Sequence, residues 1–396
     1  MDPIDPEAPE TQPAPPDGPR YEAALDTARA PESAPATSEP FETRVLLKVL
    51  IGPQGLRAGW SVLLFIVLYL LVSSVAGFIF FNLHLIDPND HINAGSALFT
   101  ELPAFLGVVA AAAIVALIER RRGNLLAYNL TGPRRSLHFF EGLAVGFAAL
   151  SVLIGTLAWG GWLHFGPIAL SGSQIFKFAG LWGITFLLVG CVEEGIFRCY
   201  LQFTLTRGIN FWWALGIVGA ICLELKIFGA GNGVRGIYIF ALLGLVPCML
   251  LHFNKAEGSN FWQAAWVSST VFGFIHTGNN GENWLGIFAV AVIGFVWVVS
   301  IRMTGSAWWA IGCHVAWDWA ETYFYGAADS GNVGAGHYLT TTPSGPAFWS
   351  GGADGPEGSV LVLGVLLLLL VTLVALYGRK KPAVPLPAEQ LERAAG

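Results

Sequence analysis

Charge is what this sequence lacks most. Asp, Glu, Lys and Arg make up 12% of its 396 residues, against 54% for hydrophobic residues. A soluble domain carries about twice that share of charge, so a soluble globular class is excluded. No basic cluster suggests a nucleic-acid partner, and none is expected. The five cysteines (Cys191, Cys199, Cys222, Cys248 and Cys313) all fall in apolar stretches. No two of them have metal-finger spacing, and they read as buried thiols acting as small hydrophobes. No His-Glu-x-x-His occurs, so the best-known zinc-protease signature is absent. No internal repeat is visible, which weakens an inverted-repeat transporter. The first residues lack the basic start and early apolar run of a cleaved signal peptide.

Long apolar runs are what the sequence has instead. A bilayer-crossing helix needs roughly 20 mostly apolar residues, and ten candidate spans are found. Their limits are about 59–82, 97–118, 141–162, 178–205, 211–228, 237–252, 260–277, 284–301, 306–324 and 359–377. The fold class is therefore an all-α, polytopic integral membrane protein with about ten transmembrane helices. The first 43 residues hold ten acids against Arg20 and Arg29, and ten of the 22 prolines. That composition cannot bury apolar surface, so residues 1–44 read as a disordered acidic tail. The organisation that follows is N-terminal membrane helices over 45–177, a core over 178–324 and an exterior loop over 325–358. The last helix and a basic tail take 359–396.

Basic residues set the orientation, because short loops rich in Lys and Arg stay cytoplasmic. Arg44, Lys48 and Arg57 precede span one, and Arg120, Arg121, Arg122, Arg134 and Arg135 follow span two. Arg207, Lys255 and Arg302 follow spans four, six and eight, and Arg379, Lys380 and Lys381 follow span ten. The alternate loops 83–96, 163–175, 278–283 and 325–358 are poor in both, with the stretch near Lys226 and Arg235 as the exception. Both termini are expected in the cytoplasm, and the location is a bacterial inner or plasma membrane. Loop 325–358 is rich in Gly, Ser, Thr and Pro and is expected to hold little regular structure. The sequon Asn129-Leu130-Thr131 falls on the cytoplasmic side and reads as chance.

Ionisable groups inside apolar spans are costly and mark function. Span four contains Glu193-Glu194-Gly195-Ile196-Phe197-Arg198. Glu194 and Arg198 are i,i+4 and share a helix face, so they can pair. Glu193 points about 100° away and has no basic partner in its own span, which suits a general base or acid. A structural ion cluster that merely orients helices is the bland alternative. Span seven ends Phe272-Gly273-Phe274-Ile275-His276, where the phenyl ring can pack on the imidazole. Taken alone, such a histidine is more often a satisfied interfacial residue. In span nine, His314 and Asp318 are again i,i+4, so Asp318 can fix the imidazole tautomer, or both can face a substrate carbonyl. Together these groups can activate water and stabilise an oxyanion. On these span limits Glu193 lies near mid-membrane and His276 near the exterior end, a mismatch in depth.

The order Glu-Glu-x-x-x-Arg, Phe-x-x-x-His, His-x-x-x-Asp resembles the CAAX prenyl protease and bacteriocin-processing family of intramembrane endopeptidases, the Abi group. The resemblance covers about 178–324. It implies a glutamate-type intramembrane protease in which Glu193 and His276 activate water and His314 and Asp318 stabilise the oxyanion. Glu194 and Arg198 would hold the site together. Two departures stand out. Asp318 replaces the Asn of many members and, when ionised, has no proton to donate, so it is either protonated or orients His314. The distance from Glu194 to His276 is long, and spans five and six account for it as an insert at about 211–257. Its Glu224 and Lys226 read as interfacial groups. Glu193, His276 and His314 are the possible ligands of a zinc ion. Two glutamates at successive helix positions fit one ion poorly, which favours metal-free water activation. The expected substrate is a membrane protein or peptide in the lipid bilayer, of unread identity. A proton-coupled transporter and a non-catalytic immunity or scaffold protein are the alternatives. The oligomeric state is not legible.

Overall fold

The computed structural model describes residues 49–52, 55–86, 94–119, 124–229, 233–279 and 281–378. The acidic segment 1–44, Lys48, the arginines 120–122 and the basic residues from Arg379 onward lie outside them, with the expectations placed on them. Among the described residues a helix occupies each of the ten apolar runs. They are α1 Ala58–Asn82, α2 Ala94–Ile118, α3 Arg135–Trp159, α4 Ser173–Thr206, α5 Phe211–Phe228 and α6 Gly233–Phe253. Then come α7 Ser259–Ile275, α8 Trp284–Thr304, α9 Trp308–Asp318 and α10 Leu361–Tyr377.

Seven of these, α1 to α6 and α8, are long and apolar enough to cross a membrane. The expected count of about ten is not reached on that criterion. α7 and α10 have 17 residues each. α9 has 11 before it passes into the seven-residue π-helical turn Trp319–Tyr325. Helix ends follow local chemistry. Asn210 and Asn283 cap α5 and α8 by accepting from backbone N–H groups two and three residues on, as N-cap residues do. Gly305, at φ 86°, closes α8 in the left-handed region, where glycine carries no Cβ penalty.

The most extensive helix pair joins α3 to α9, and small residues explain it. A Cβ on Gly142 would sit 2.2 Å from the carbonyl oxygen of Trp309, and one on Gly146 2.2 Å from that of Cys313. From the other side, a Cβ on Gly312 would sit 2.1 Å from the carbonyl oxygen of Phe139. The Gly142-x-x-x-Gly146 face lets the two backbones touch, the device that packs helices in membranes. Since the obstructing atoms are backbone, Gly146→Ala must separate the helices. It should cost about 1–3 kcal/mol, whereas Gly155→Ala on the same helix meets nothing within 4 Å and should be neutral. Thermal unfolding of the two variants in detergent checks this, and equal midpoints would refute it.

Loops segregate by charge. At one end Arg207 holds Glu119 through two nitrogens at 2.8 and 3.2 Å. The Ser61 hydroxyl donates to the same carboxylate (2.6 Å), and Asn129 accepts from the Ala307 N–H (2.8 Å). At the other end the strand Leu163–Phe165 pairs antiparallel with Thr341–Pro343, and the Asn283 N–H donates to Asp354 (3.0 Å). Three of the loops poor in Lys and Arg thus meet each other, and those bearing Arg134, Arg207 and Arg302 lie together at the opposite end. The segment 326–360 holds little regular structure beyond that strand and the helical turns Ala347–Ser350 and Pro356–Gly358. It is nevertheless tied down: the Trp182 indole donates to Ala335 (3.2 Å) and that of Trp317 to Glu357 (2.7 Å).

Candidate functional site

Within α4, Glu194 ends the regular α-helical stretch, and Gly195–Leu201 forms a π-helical turn. Such turns free a carbonyl and re-aim side chains, often at functional sites. The carbonyl of Arg198, within this turn, accepts from the Asn129 side chain (2.8 Å). The sequon asparagine is thereby a structural partner of the site. Arg198 points inward, 1% exposed, with Nε 3.3 Å from Glu194 Oε2. The contact is an ion pair and not a hydrogen bond, since among the described residues Arg198 has no hydrogen-bond acceptor. Aromatic faces take up the rest of the cation. Its guanidinium carbon lies 4.0 Å from the Phe272 ring centre and 4.8 Å from that of Trp297, within cation–π range. Gly294 of α8 makes room for it, because a Cβ there would sit 2.5 Å from Arg198 Nη2.

Glu194 also reaches across to α9. His314 Nδ1 lies 3.0 Å from Glu194 Oε1. Nε2 of the same ring lies 3.3 Å from Asp318 Oδ2 and 3.7 Å from Glu193 Oε2. Trp297 stacks on the imidazole at 4.5 Å and 26°, fixing the ring plane. An ionised Glu194 can only accept, so the Nδ1 proton points to it, and Nε2 is left facing Asp318 and Glu193. His276 follows α7 directly, in a 3-10 turn. Its Nδ1 lies 2.8 Å from the Phe272 carbonyl oxygen, and its ring packs edge-on to Phe272 at 4.7 Å. A carbonyl cannot donate, so Nδ1 carries a proton, and in the neutral ring Nε2 is then the accepting nitrogen.

Glu193, His276, His314 and Asp318 all line one cavity of about 330 Å³. Glu193 and His276, expected at different depths, line the same cavity, together with Trp297, Asn279 and Asp329. Glu194 and Arg198 are not in its wall; they lie beneath it, fully buried. Among the described residues, Glu193 ion-pairs with His314 and makes no such contact with His276. Both line the cavity. Glu193, His276 and His314 do not form the compact group that a zinc ion would draw together. Among the described residues that compactness belongs to Glu321, Asp329 and Glu357.

Several cavity residues escaped the reading of the sequence. Glu101 of α2 lines the wall, and its position inside an apolar run was signal enough. Trp297 gave no signal, being one tryptophan among 15. Asp329 and Glu357 lie in a loop whose composition suggested only exposure, yet both line the cavity. Burial raises Asp329 to about 6 and lifts Glu357 well above the ordinary carboxylate range. Asp354 is raised to about 7, chiefly by burial and against the Asn283 N–H that favours its charge. The folded protein thus keeps the Asp354 proton where the unfolded chain, ionising near pH 4, has lost it. Stability should therefore fall as pH rises from about 4 to about 7 and level off above. Asp354→Asn should flatten part of that slope. Unfolding midpoints across this range check it, and an unchanged slope would count against it.

The family model described as Rce1-like, type II CAAX prenyl endopeptidase, matches residues 247–320. No curated protein and no solved structure matches the chain. The matched segment holds His276, His314 and Asp318 and stops short of Glu193, Glu194 and Arg198, which α4 brings to the same place. It is narrower than the 178–324 over which the motifs resemble the family. Residues 247–320 carry the type II CAAX prenyl endopeptidase Rce1-like signature, the same family that the three motifs resemble, and what it supports is an intramembrane endopeptidase of that general type.

Proposed function

We propose that the chain hydrolyses a peptide bond of a membrane protein or peptide inside this cavity. The observation that carries the reading is the convergence of Glu193, His276, His314 and Asp318 from three separate motifs on one cavity. A proton-coupled carrier would instead string such groups along a path. Water held between Glu193 and His276 Nε2 loses a proton to one of them as its oxygen attacks the scissile carbonyl carbon. The oxyanion forms on the side of His314, whose protonated Nε2 donates to it. Asp318, 3.3 Å from that nitrogen, keeps the ring aimed. The tetrahedral intermediate collapses with loss of the C–N bond. The proton taken from water passes to the leaving nitrogen, and a carboxylic acid and an amine result.

The reaction as written needs no metal, since the chain supplies both base and oxyanion donor. Were zinc used, Glu193, His276 and His314 would be its ligands. Purified protein incubated with a library of membrane-spanning peptides tests both points. Cleavage is expected, and it should survive a chelator. Loss to the chelator with recovery on adding zinc would overturn the metal-free chemistry. Equal cleavage by a His314→Ala variant would overturn the site. We place the chain in a plasma membrane with the Arg-bearing loops and both termini on the cytoplasmic side, and take 178–324 as the protease core with the α5–α6 pair as an insert.

A further inference from the structure

Three carboxylates that take no part in the proposed hydrolysis gather at the edge of the cavity, and two of them, Asp329 and Glu357, form part of its wall. Glu321 lies in the π-helical turn after α9, Asp329 in the segment that follows, and Glu357 in the turn Pro356–Gly358. One oxygen from each lies within 4.8 Å of the others. Two of the three are oriented by donors. The Thr322 hydroxyl donates to Asp329 Oδ2 (2.9 Å), and the Trp317 indole N–H donates to Glu357 Oε1 (2.7 Å). Glu321 has nothing comparable. It is 0% exposed, and neither of its oxygens has a hydrogen-bond partner among the described residues. Among the described residues no Lys or Arg ion-pairs with any of the three. A buried carboxylate with no donor, turned toward two others, is a costly arrangement unless something positive sits among them.

We propose that Glu321, Asp329 and Glu357 bind a hard divalent cation of the calcium or magnesium class, which clips the segment 326–360 to the end of α9. The donor set decides the class. It offers only carboxylate oxygen, with no imidazole or thiolate in the group, and such sets suit calcium and magnesium rather than zinc or copper. The spacing agrees: two oxygens each about 2.4 Å from one calcium ion can be at most about 4.8 Å apart. Thr322 and Trp317 play the part of outer partners that hold first-shell ligands in position. The competing account is that the three carboxyls share protons and need no cation. The inference is independent of the hydrolysis proposal, since it is read by binding alone.

The test uses the full chain in detergent near neutral pH, stripped with chelator and titrated with Ca²⁺, Mg²⁺ or Tb³⁺. Thermal unfolding is followed for the first two ions and tryptophan-sensitised emission for the third, with Trp317 as the nearby antenna. A saturable rise in the unfolding midpoint with Ca²⁺ or Mg²⁺, and saturable emission with Tb³⁺, are expected. Glu321→Gln and Asp329→Asn should each weaken binding at least about tenfold, the loss that even an outer-shell partner can cause. Glu224→Gln, an exposed acid on α5, should leave binding unchanged and so accounts for adventitious surface sites. Absence of saturable stabilisation by either ion overturns the proposal, and proton sharing then explains the cluster. Binding by both carboxylate variants as tight as by the parent overturns it equally. Should Glu321→Gln fail to fold, the parent titration and Asp329→Asn still decide.

Discussion

Glu193→Gln is expected to lower peptide cleavage by about 10²–10⁴-fold, the usual weight of a positioned general base. Stability should stay within about 0.5 kcal/mol, as for changes away from buried networks. The split follows from where the side chain sits. Glu193 is 27% exposed and lines the cavity, and among the described residues its ion contact is the 3.7 Å approach to His314. Glutamine keeps its shape and its hydrogen-bonding reach but cannot take a proton from water. Single-turnover cleavage of a labelled membrane peptide, set beside unfolding midpoints, separates the two quantities. Turnover within twofold of the parent would remove Glu193 from the chemistry. His276→Ala should produce a loss of similar kind, because Nε2 of that ring is the other base facing the cavity. If only one of the two variants loses activity, that residue is the base and the other merely lines the site.

The charged groups that meet at the cavity were legible in the sequence for one reason: charge inside an apolar run is rare enough to be read one residue at a time. Glu193, Glu194, Arg198, His314 and Asp318 stood out in this way, and the structure brings all of them together. Glu101 obeyed the same rule and was passed over because no recognisable pattern surrounds it. The pairing of Glu193 was not legible. Helical spacing relates residues of one helix, whereas the neighbour Glu193 meets is His314 of α9, brought there by the packing of α4 on α9, where Gly190 lies against Val315 and Ile311. Nor was the π-helical turn at Gly195–Leu201 legible, since its sequence is that of an ordinary apolar helix. The acids of 326–360 were hidden by composition. A run of Gly, Ser and Pro reads as exposed loop, whereas the hydrogen bonds from Trp182, Trp317 and Thr322 show that it folds inward.

Glu194→Ala should be the most destabilising single change at the site, and for a different reason from Glu193. Glu194 is wholly buried between Arg198 and His314. Removing it strands a guanidinium that, among the described residues, has no hydrogen-bond acceptor and lies against the aromatic faces of Phe272 and Trp297. Breaking a buried pair from one side costs about 3–5 kcal/mol, whereas replacing both partners by apolar groups is often close to neutral. The double variant Glu194→Ala with Arg198→Met should therefore recover most of the lost stability. It should not recover cleavage, because His314 Nδ1 would still lack the carboxylate 3.0 Å away that fixes its proton. The two measurements pull apart the two duties of one side chain: neutralising Arg198, which is structural, and orienting His314, which is positional. A double variant as unstable as the single one would mean that Arg198 is not held by charge. A double variant that cleaves as well as the parent would mean that His314 needs no partner on its buried side, and the oxyanion role would then have to move to another donor in the cavity.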